Sequence, residues 1–262
     1  MTARFGLAIV TAMALCLWNS GSIGAATLVG HYDFEDPDNL AHDSSGSAND
    51  GVISGSITQA PGYLPSSHGA FFDDGSSSTI TIPPMTGYTG IPGFTFTAWV
   101  NQDAGATAYD GIISQDTGGC CDNRLLLSPA HHPFINVGQH SDRPLNGTTL
   151  APGTWYQLVL TGENSDASGG AVAHVYLNGV EIAGSPQFFD PLPDGTGFST
   201  YLGAGEGGSV HFFRGTMDDV RIYEGALTPR EVTDLYNSSL PEPASASALA
   251  LAGAACALRR RR

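Results

Sequence analysis

Residues 213–237 read "FRGTMDDVRIYEGALTPREVTDLYN", and this stretch changes character halfway along. Its first half, "MDDVRIYE", mixes β-branched, aromatic and charged residues in the manner of a half-buried strand. Its second half carries the start signals of a helix. Thr228 stands at the cap, Pro229 at the first helical position and Glu231 three residues after the cap, as a capping box requires. Val232, Leu235 and Tyr236 then share one face, so the short helix is expected to lie on whatever sheet the strand belongs to.

Working outward, no second amphipathic helix is found, whereas short apolar and β-branched runs recur between Gly, Asp, Asn and Pro. Fourteen candidate strands are read: "TLVGHYDF", "GVISG", "GAFFD", "TITIP", "FTFTAWV", "GIISQ", "RLLLS", "PFINVGQ", "TWYQLVLTG", "AVAHVYLNG", "VEIAG", "STYLGA", "HFFRG" and "MDDVRIYE". In "YLNGVEIAG" the pair Asn178-Gly179 separates two alternating runs and predicts a tight hairpin. Trp99 and Trp155 are expected to point into the sandwich, which leaves tyrosines such as Tyr88 and Tyr109 as aromatic platforms for a sugar. The result is an all-β fold of two packed antiparallel sheets with one short C-terminal helix, and no internal repeat suggests a propeller or solenoid.

The two ends differ from the middle. "MTARFGLAIVTAMALCLWNSGSIGAAT" has one positive charge at Arg4, an apolar run and small residues Gly24 and Ala26, so residues 1–26 are expected to be a signal peptide and Thr27 the first residue of the exported form. A lipoprotein reading at Cys16 meets Leu15 where a small residue is needed. At the other end, Ala244 to Leu258 is apolar but shorter than the ~20 residues of a comfortable membrane span. Arg259, Arg260, Arg261 and Arg262 follow it as a positive-inside stop. Pro241-Glu242-Pro243, the apolar run and the arginine cluster together resemble the PEP-CTERM sorting signal of exported bacterial proteins. That resemblance implies an exosortase-type enzyme as a partner, with the membrane involved only through the tail before processing, and delivery to the cell surface, outer envelope or extracellular matrix.

Between these ends lie five arginines, no lysine and 24 of the 25 acidic residues. A surface so acidic repels nucleic acid and anionic lipid, and neither is expected as a partner. Of four cysteines, Cys16 falls in the leader and Cys256 in the tail, leaving the neighbours Cys120 and Cys121. In an exported protein these form a strained vicinal disulfide or stay free, and the loop-stiffening bridge is the reading preferred here. His131, His132 and His140 near them match no closed zinc motif and read as surface loop histidines. No Gly-x-Ser-x-Gly elbow, His-Glu-x-x-His or lysine-bearing phosphate loop occurs, and "GAGEGG" reads as a turn.

The pattern Gly-x-Met-Asp-Asp-Val-Arg-Ile-Tyr followed by Ala-Leu-Thr and a helix with Glu at its third position is similar to the closing segment of LamG-like, concanavalin A-like jelly rolls. "LVGHYDFE", "DSSGSANDGVISG", "FTFTAWV", "GIISQ", "GTWYQLVLTG" and "HVYLNGVEIAG" match the family's other segments in order, over about residues 28–237. Gly118 to Leu150, with "GGCCDN", "HHPF" and "HSDRPLNG", departs from the pattern.

The resemblance implies a concanavalin A-like jelly roll over residues 27–237, followed by the sorting tail at 238–262. It also implies that first and last strands are neighbours, bringing Asp33 and Glu35 near Asp218 and Asp219. Many members hold a structural Ca²⁺, for which Asp33, Asp43, Asp218 and Asp219 are the expected ligands, with Asn49 and Asp50 close by. The alternative for these residues is local: Asx turns at Asp43 and Asp50, and ion pairs from Asp218 or Asp219 to Arg221 or Arg214. The expected function is a surface-sorted, non-enzymatic binding or adhesion module for a glycan or a protein of the extracellular matrix. A polysaccharide lyase or glycoside hydrolase on the same scaffold, and a purely structural envelope protein, are the alternatives.

Overall fold

The computed structural model describes residues 25–106, 108–116, 123–138, 142–165 and 169–241. Two antiparallel sheets face each other across one core. The first follows the path β13 (Val180–Glu181), β12 (Ala171–Leu177), β11 (Tyr156–Asn164), β6 (Gly93–Gln102), β16 (Gly215–Glu224), β4 (His68–Phe72), β3 (Ile57–Pro61). Here β1 (Thr27–Tyr32) also joins β16, and β14 (Gln187–Phe189) also joins β12. The second runs β10 (Arg143–Pro144), β9 (Pro133–Val137), β8 (Asn123–Leu127), β7 (Asp110–Asp116), β15 (Ser199–Leu202), β5 (Thr79–Ile82), β2 (Val52–Ser54). Phe72, Phe94, Phe96, Leu160 and Ile222 of the first sheet meet Ile80, Ile113, Leu125 and Ile135 of the second in the shared core.

The decisive stretch forms β16, the centre of the first sheet, and its double aspartate solves a problem of parity. Met217, Val220 and Ile222 are all fully buried in the core. In a regular strand residues 217 and 220 would face opposite sides. The register against β6 slips between Asp218 and Arg221, and Asp219 takes a left-handed φ of 47°, so an extra residue is inserted and the core face is recovered. The same bulge is where the strand changes neighbours on its other edge: Gly215–Met217 pair with β4, and Val220–Glu224 pair with β1. First and last strands are thus adjacent.

The hairpin at Asn178-Gly179 forms as predicted, with both residues at positive φ, 51° and 77°. The helix α1 (Pro229–Ser239) also forms, and both halves of its capping box are present. Val232 packs on Val159 and Tyr176, so α1 covers part of the outer face of the first sheet. Among the described residues no helix is long and apolar enough to cross a membrane.

Three of the shortest or most polar strands, β3, β10 and β14, lie outside the fourteen expected, and "HFFRG" forms no strand until Gly215. His211 has a φ of 56°, and the Phe213 N–H donates to the Gly203 carbonyl, so this segment closes a loop that drops Phe213 into the core.

Candidate functional site

The four aspartates expected to bind Ca²⁺ each accept hydrogen bonds from within the fold. Asp43 is 3% exposed, and its carboxylate accepts the backbone N–H of His31, Ser45 and Asn49, each at 2.9 Å. Asp218 accepts from the N–H of Tyr63 and the hydroxyl of Ser67 on one oxygen and from the N–H of Asp219 on the other. Asp219 pairs with His31 at 2.7 Å and Arg221 at 2.8 Å. Asp33 accepts a long bond from the Glu35 N–H, at 3.3 Å, and Glu35 holds His68.

Among the described residues no three His, Cys, Asp or Glu side chains converge to hold a metal ion. Asp43 and Asp218 each accept three N–H or O–H bonds and Asp219 pairs with His31 and Arg221, so a Ca²⁺ ion shared by Asp33, Asp43, Asp218 and Asp219 would have to displace these partners. Part of the local alternative is present, an Asx turn from Asp43 to Ser45 and the Asp219–Arg221 pair, whereas Asp50 accepts the N–H of Asp43 and Arg214 pairs with Asp74 and Asp103.

His131 and His132 also have local partners, Gln102 Oε1 and the Thr148 carbonyl. Cys120, Cys121, His140 and residues 242–262, which include Glu242, Pro243 and the arginine cluster, lie outside the described residues. Pro241 is the last described residue.

The tryptophans depart from expectation. In β6 the core takes Phe94, Phe96, Ala98 and Val100, so Trp99 has the opposite parity. It is buried on the outer face, stacked at 4.3 Å on Tyr63 and at 5.9 Å on Tyr236 of α1. Trp155 precedes β11 and is half-buried. Tyr88 is core and donates its hydroxyl to Gln115.

A larger cavity of about 510 Å³ beside α1 on this face is lined by Ala26, Thr161, Glu163, His174, Leu227 and Glu231, among others. Its polar groups are partly spent on structure, Glu231 in the capping box and His174 on Glu181.

The outer face of the second sheet is different. The cross-strand row Ser114, Arg124, Asn136 points away from the core row Ile113, Leu125, Ile135. Arg124 gives 2.8 Å and 3.2 Å contacts to Asp142 and Glu206, and its side chain is 3% exposed. Asn136 also donates to Asp142, at 3.1 Å. Beside the guanidinium lies a pocket of about 180 Å³ lined by Tyr109, Arg124, Leu126, Phe134, Asp142 and His211. Tyr109, 39% exposed, has its ring 5.2 Å from Phe134 and 5.5 Å from His211.

This combination is suited to a polyhydroxylated ring. Aromatic edges and faces offer a C–H surface, and a fixed guanidinium with two carboxylates offers donors and acceptors in defined directions. A charge buried this deeply requires its partners, so Asp142 and Glu206 also hold Arg124 in place.

Sequence reading singled out Tyr109 but missed Arg124, Phe134, Asp142, Glu206 and His211. Glu206 comes from the "GAGEGG" turn, where Glu206, Gly207 and Gly208 all take positive φ and the Gly207 N–H anchors to Asp116. The available signal was negative: the segment 118–150, which supplies Arg124, Phe134 and Asp142, is where the family pattern fails.

Residues 74–233 match the model of the concanavalin A-like lectin/glucanases superfamily, of laminin G type. A comparison with curated proteins finds no match. Among solved structures the chain is similar to domain 4 of AbnA, a GH43 extracellular arabinanase from Geobacillus stearothermophilus, solved in complex with arabinotriose. Identity is 27%, the TM-score is 0.56, and the likeness covers 80% of this chain and 98% of that one. The receptor-binding domain of a botulinum neurotoxin mosaic serotype C/D shares the fold at 12% identity and a TM-score of 0.59, over 81% of this chain and 51% of the toxin chain. With the family model covering well over half of its length and two antiparallel sheets of the same kind beneath it, the chain belongs to the laminin G-like members of the concanavalin A-like lectin/glucanases superfamily.

Proposed function

We propose that this protein is an exported, non-catalytic sugar-binding module whose site is the pocket between Tyr109, Phe134, His211 and the clamped Arg124. The observation that carries the reading is the contrast between the two outer faces. α1 and Tyr63 cover part of one, while the other, closed over β7, β8 and β9, keeps an exposed tyrosine at the mouth of a pocket that Arg124 lines. The arabinotriose held by the similar arabinanase domain supports it and supplies a probe.

A glycosidase reading calls for an acid and a base facing each other across a cleft. Asp142 and Glu206 instead grip the same guanidinium, an arrangement that positions a cation. Export and surface sorting belong to the proposal. Residues 1–26 are removed as a signal peptide, residues 27–237 form the domain, and an exosortase-type enzyme reads Pro241-Glu242-Pro243 in the 238–262 tail, placing the sugar site at the cell surface or in the extracellular matrix.

The test is calorimetric titration of the full-length protein with arabinotriose at pH 7. Binding in the micromolar to millimolar range is expected, and Tyr109→Ala is expected to weaken it by tenfold or more, equivalent to about 1.4 kcal/mol. Unchanged affinity in Tyr109→Ala, with the melting temperature preserved, would move the site elsewhere.

A further inference from the structure

From the way this face is closed we infer that the pocket receives one neutral sugar ring at the end of a chain, not a run of rings within it; the inference rests on the sugar-binding reading above. In β7, β8 and β9 every residue is buried, on the outward side as well as the inward one. The outward row Ser114, Arg124, Asn136 is 0%, 2% and 0% exposed. A cleft that laid a polysaccharide across these strands would leave that row open to solvent.

It is closed from one side by the segment 203–213, fixed by three bonds: Ser114 Oγ to the Ala204 carbonyl at 2.8 Å, the Gly207 N–H to Asp116 at 2.8 Å, and the Gly111 N–H to the His211 carbonyl at 2.6 Å. From the other side Asp142 reaches over Asn136 and Arg124. The opening left between Tyr109, Phe134 and His211 is about 180 Å³, below the 300–1,000 Å³ usual for drug-sized ligands, and it matches a single ring.

The charge balance narrows the class further. Asp142 and Glu206 both face the guanidinium, and Glu206 also lies 3.6 Å from His211, so a ring bearing its own carboxylate would add a further negative group beside two already present. The occupant is a neutral terminal sugar.

Titrating the full-length protein with arabinose, arabinobiose, arabinotriose and arabinotetraose separates the alternatives. The dissociation constant is expected to stay within about threefold along the series. With linear arabinan the stoichiometry is expected to follow the number of chain ends, and a galacturonate trimer is expected to bind at least tenfold more weakly than arabinotriose. Affinity rising tenfold or more with each added ring, many proteins bound along one chain, or preference for the uronate would each overturn the inference while leaving a sugar-binding site in place. Absence of binding at every length, with Tyr109→Ala indistinguishable from the parent, would overturn the sugar-binding reading and this inference with it.

Discussion

Replacing Asp43 by alanine is expected to lower the stability of the folded chain by about 3 to 6 kcal/mol, because three N–H groups lose this acceptor at once. The donors are His31 in β1, Ser45 and Asn49, each 2.9 Å from the carboxylate. Asn49 is in turn tied to Val29 and Thr86, and its carbonyl accepts the buried Tyr32 hydroxyl, so the loss spreads along the first strand. For a domain of this size the melting temperature is expected to fall by about 10 to 20 °C.

Burial opposes ionisation of Asp43, yet the donors from Asn49, Ser45 and His31 outweigh it and hold the carboxyl below its usual range. Asp43→Asn, which keeps one acceptor oxygen, is expected to retain part of the stability. Thermal melts of the three proteins with EDTA and with added Ca²⁺ check the assignment. No response to either reagent is expected, since three N–H groups already occupy most of the carboxylate's acceptor capacity. A loss below 1 kcal/mol, or a Ca²⁺-dependent rise abolished in Asp43→Ala, would contradict it.

The second large effect is a fall in stability as pH rises from about 4 to about 7. Burial pushes the carboxyls of Asp110 and Asp218 up to about 7, partly countered at Asp110 by the Gln102 amide and at Asp218 by the donors Tyr63, Ser67 and Asp219. Both residues are almost fully buried. Below the unfolded value near 3.8 both states hold the proton. Between 3.8 and 7 the unfolded chain releases it while the folded chain keeps it, so unfolding gains with every step in pH. The loss is complete above about 7, and each residue contributes on the order of 4 kcal/mol.

Asp43 acts in the opposite sense, its contribution being lost as pH falls below 3.8, so the melting temperature is expected to peak near pH 4 to 5. Asp110→Asn, which reproduces the neutral acid, is expected to flatten part of the slope and to be more stable than the parent at pH 8. Melts at pH 4.5, 6, 7 and 8 decide this, and a parent protein as stable at pH 8 as at pH 4.5 would refute it.

The sequence carried the elements that depend on neighbours in the chain. Thr228, Pro229 and Glu231 specify the helix start through bonds three residues long, and Asn178-Gly179 specifies a hairpin through its own φ preferences. What escaped depends on parity and on distant partners. Trp99 looked inward as a large aromatic in a strand, but the pleat gives the core to Phe96, Ala98 and Val100, and Tyr63 and Tyr236 arrive from far away to bury it. The bulge at Asp219 is visible only once Met217 and Val220 are known to share a face. The proposed pocket is harder still, since Tyr109, Arg124, Asp142, Glu206 and His211 are assembled by sheet order from separate segments. The aspartates that carry the family signature turned out to bind the chain to itself.

The central claim, that the outer face of the second sheet is where sugar binds, is tested most directly by a crystal structure of the protein soaked with arabinotriose. The account predicts one terminal ring against Tyr109 and Phe134 with its hydroxyls on Arg124 and Asp142, and the remaining rings projecting into solvent. Sugar seated instead in the cavity beside α1, against Glu163 and His174, would contradict it.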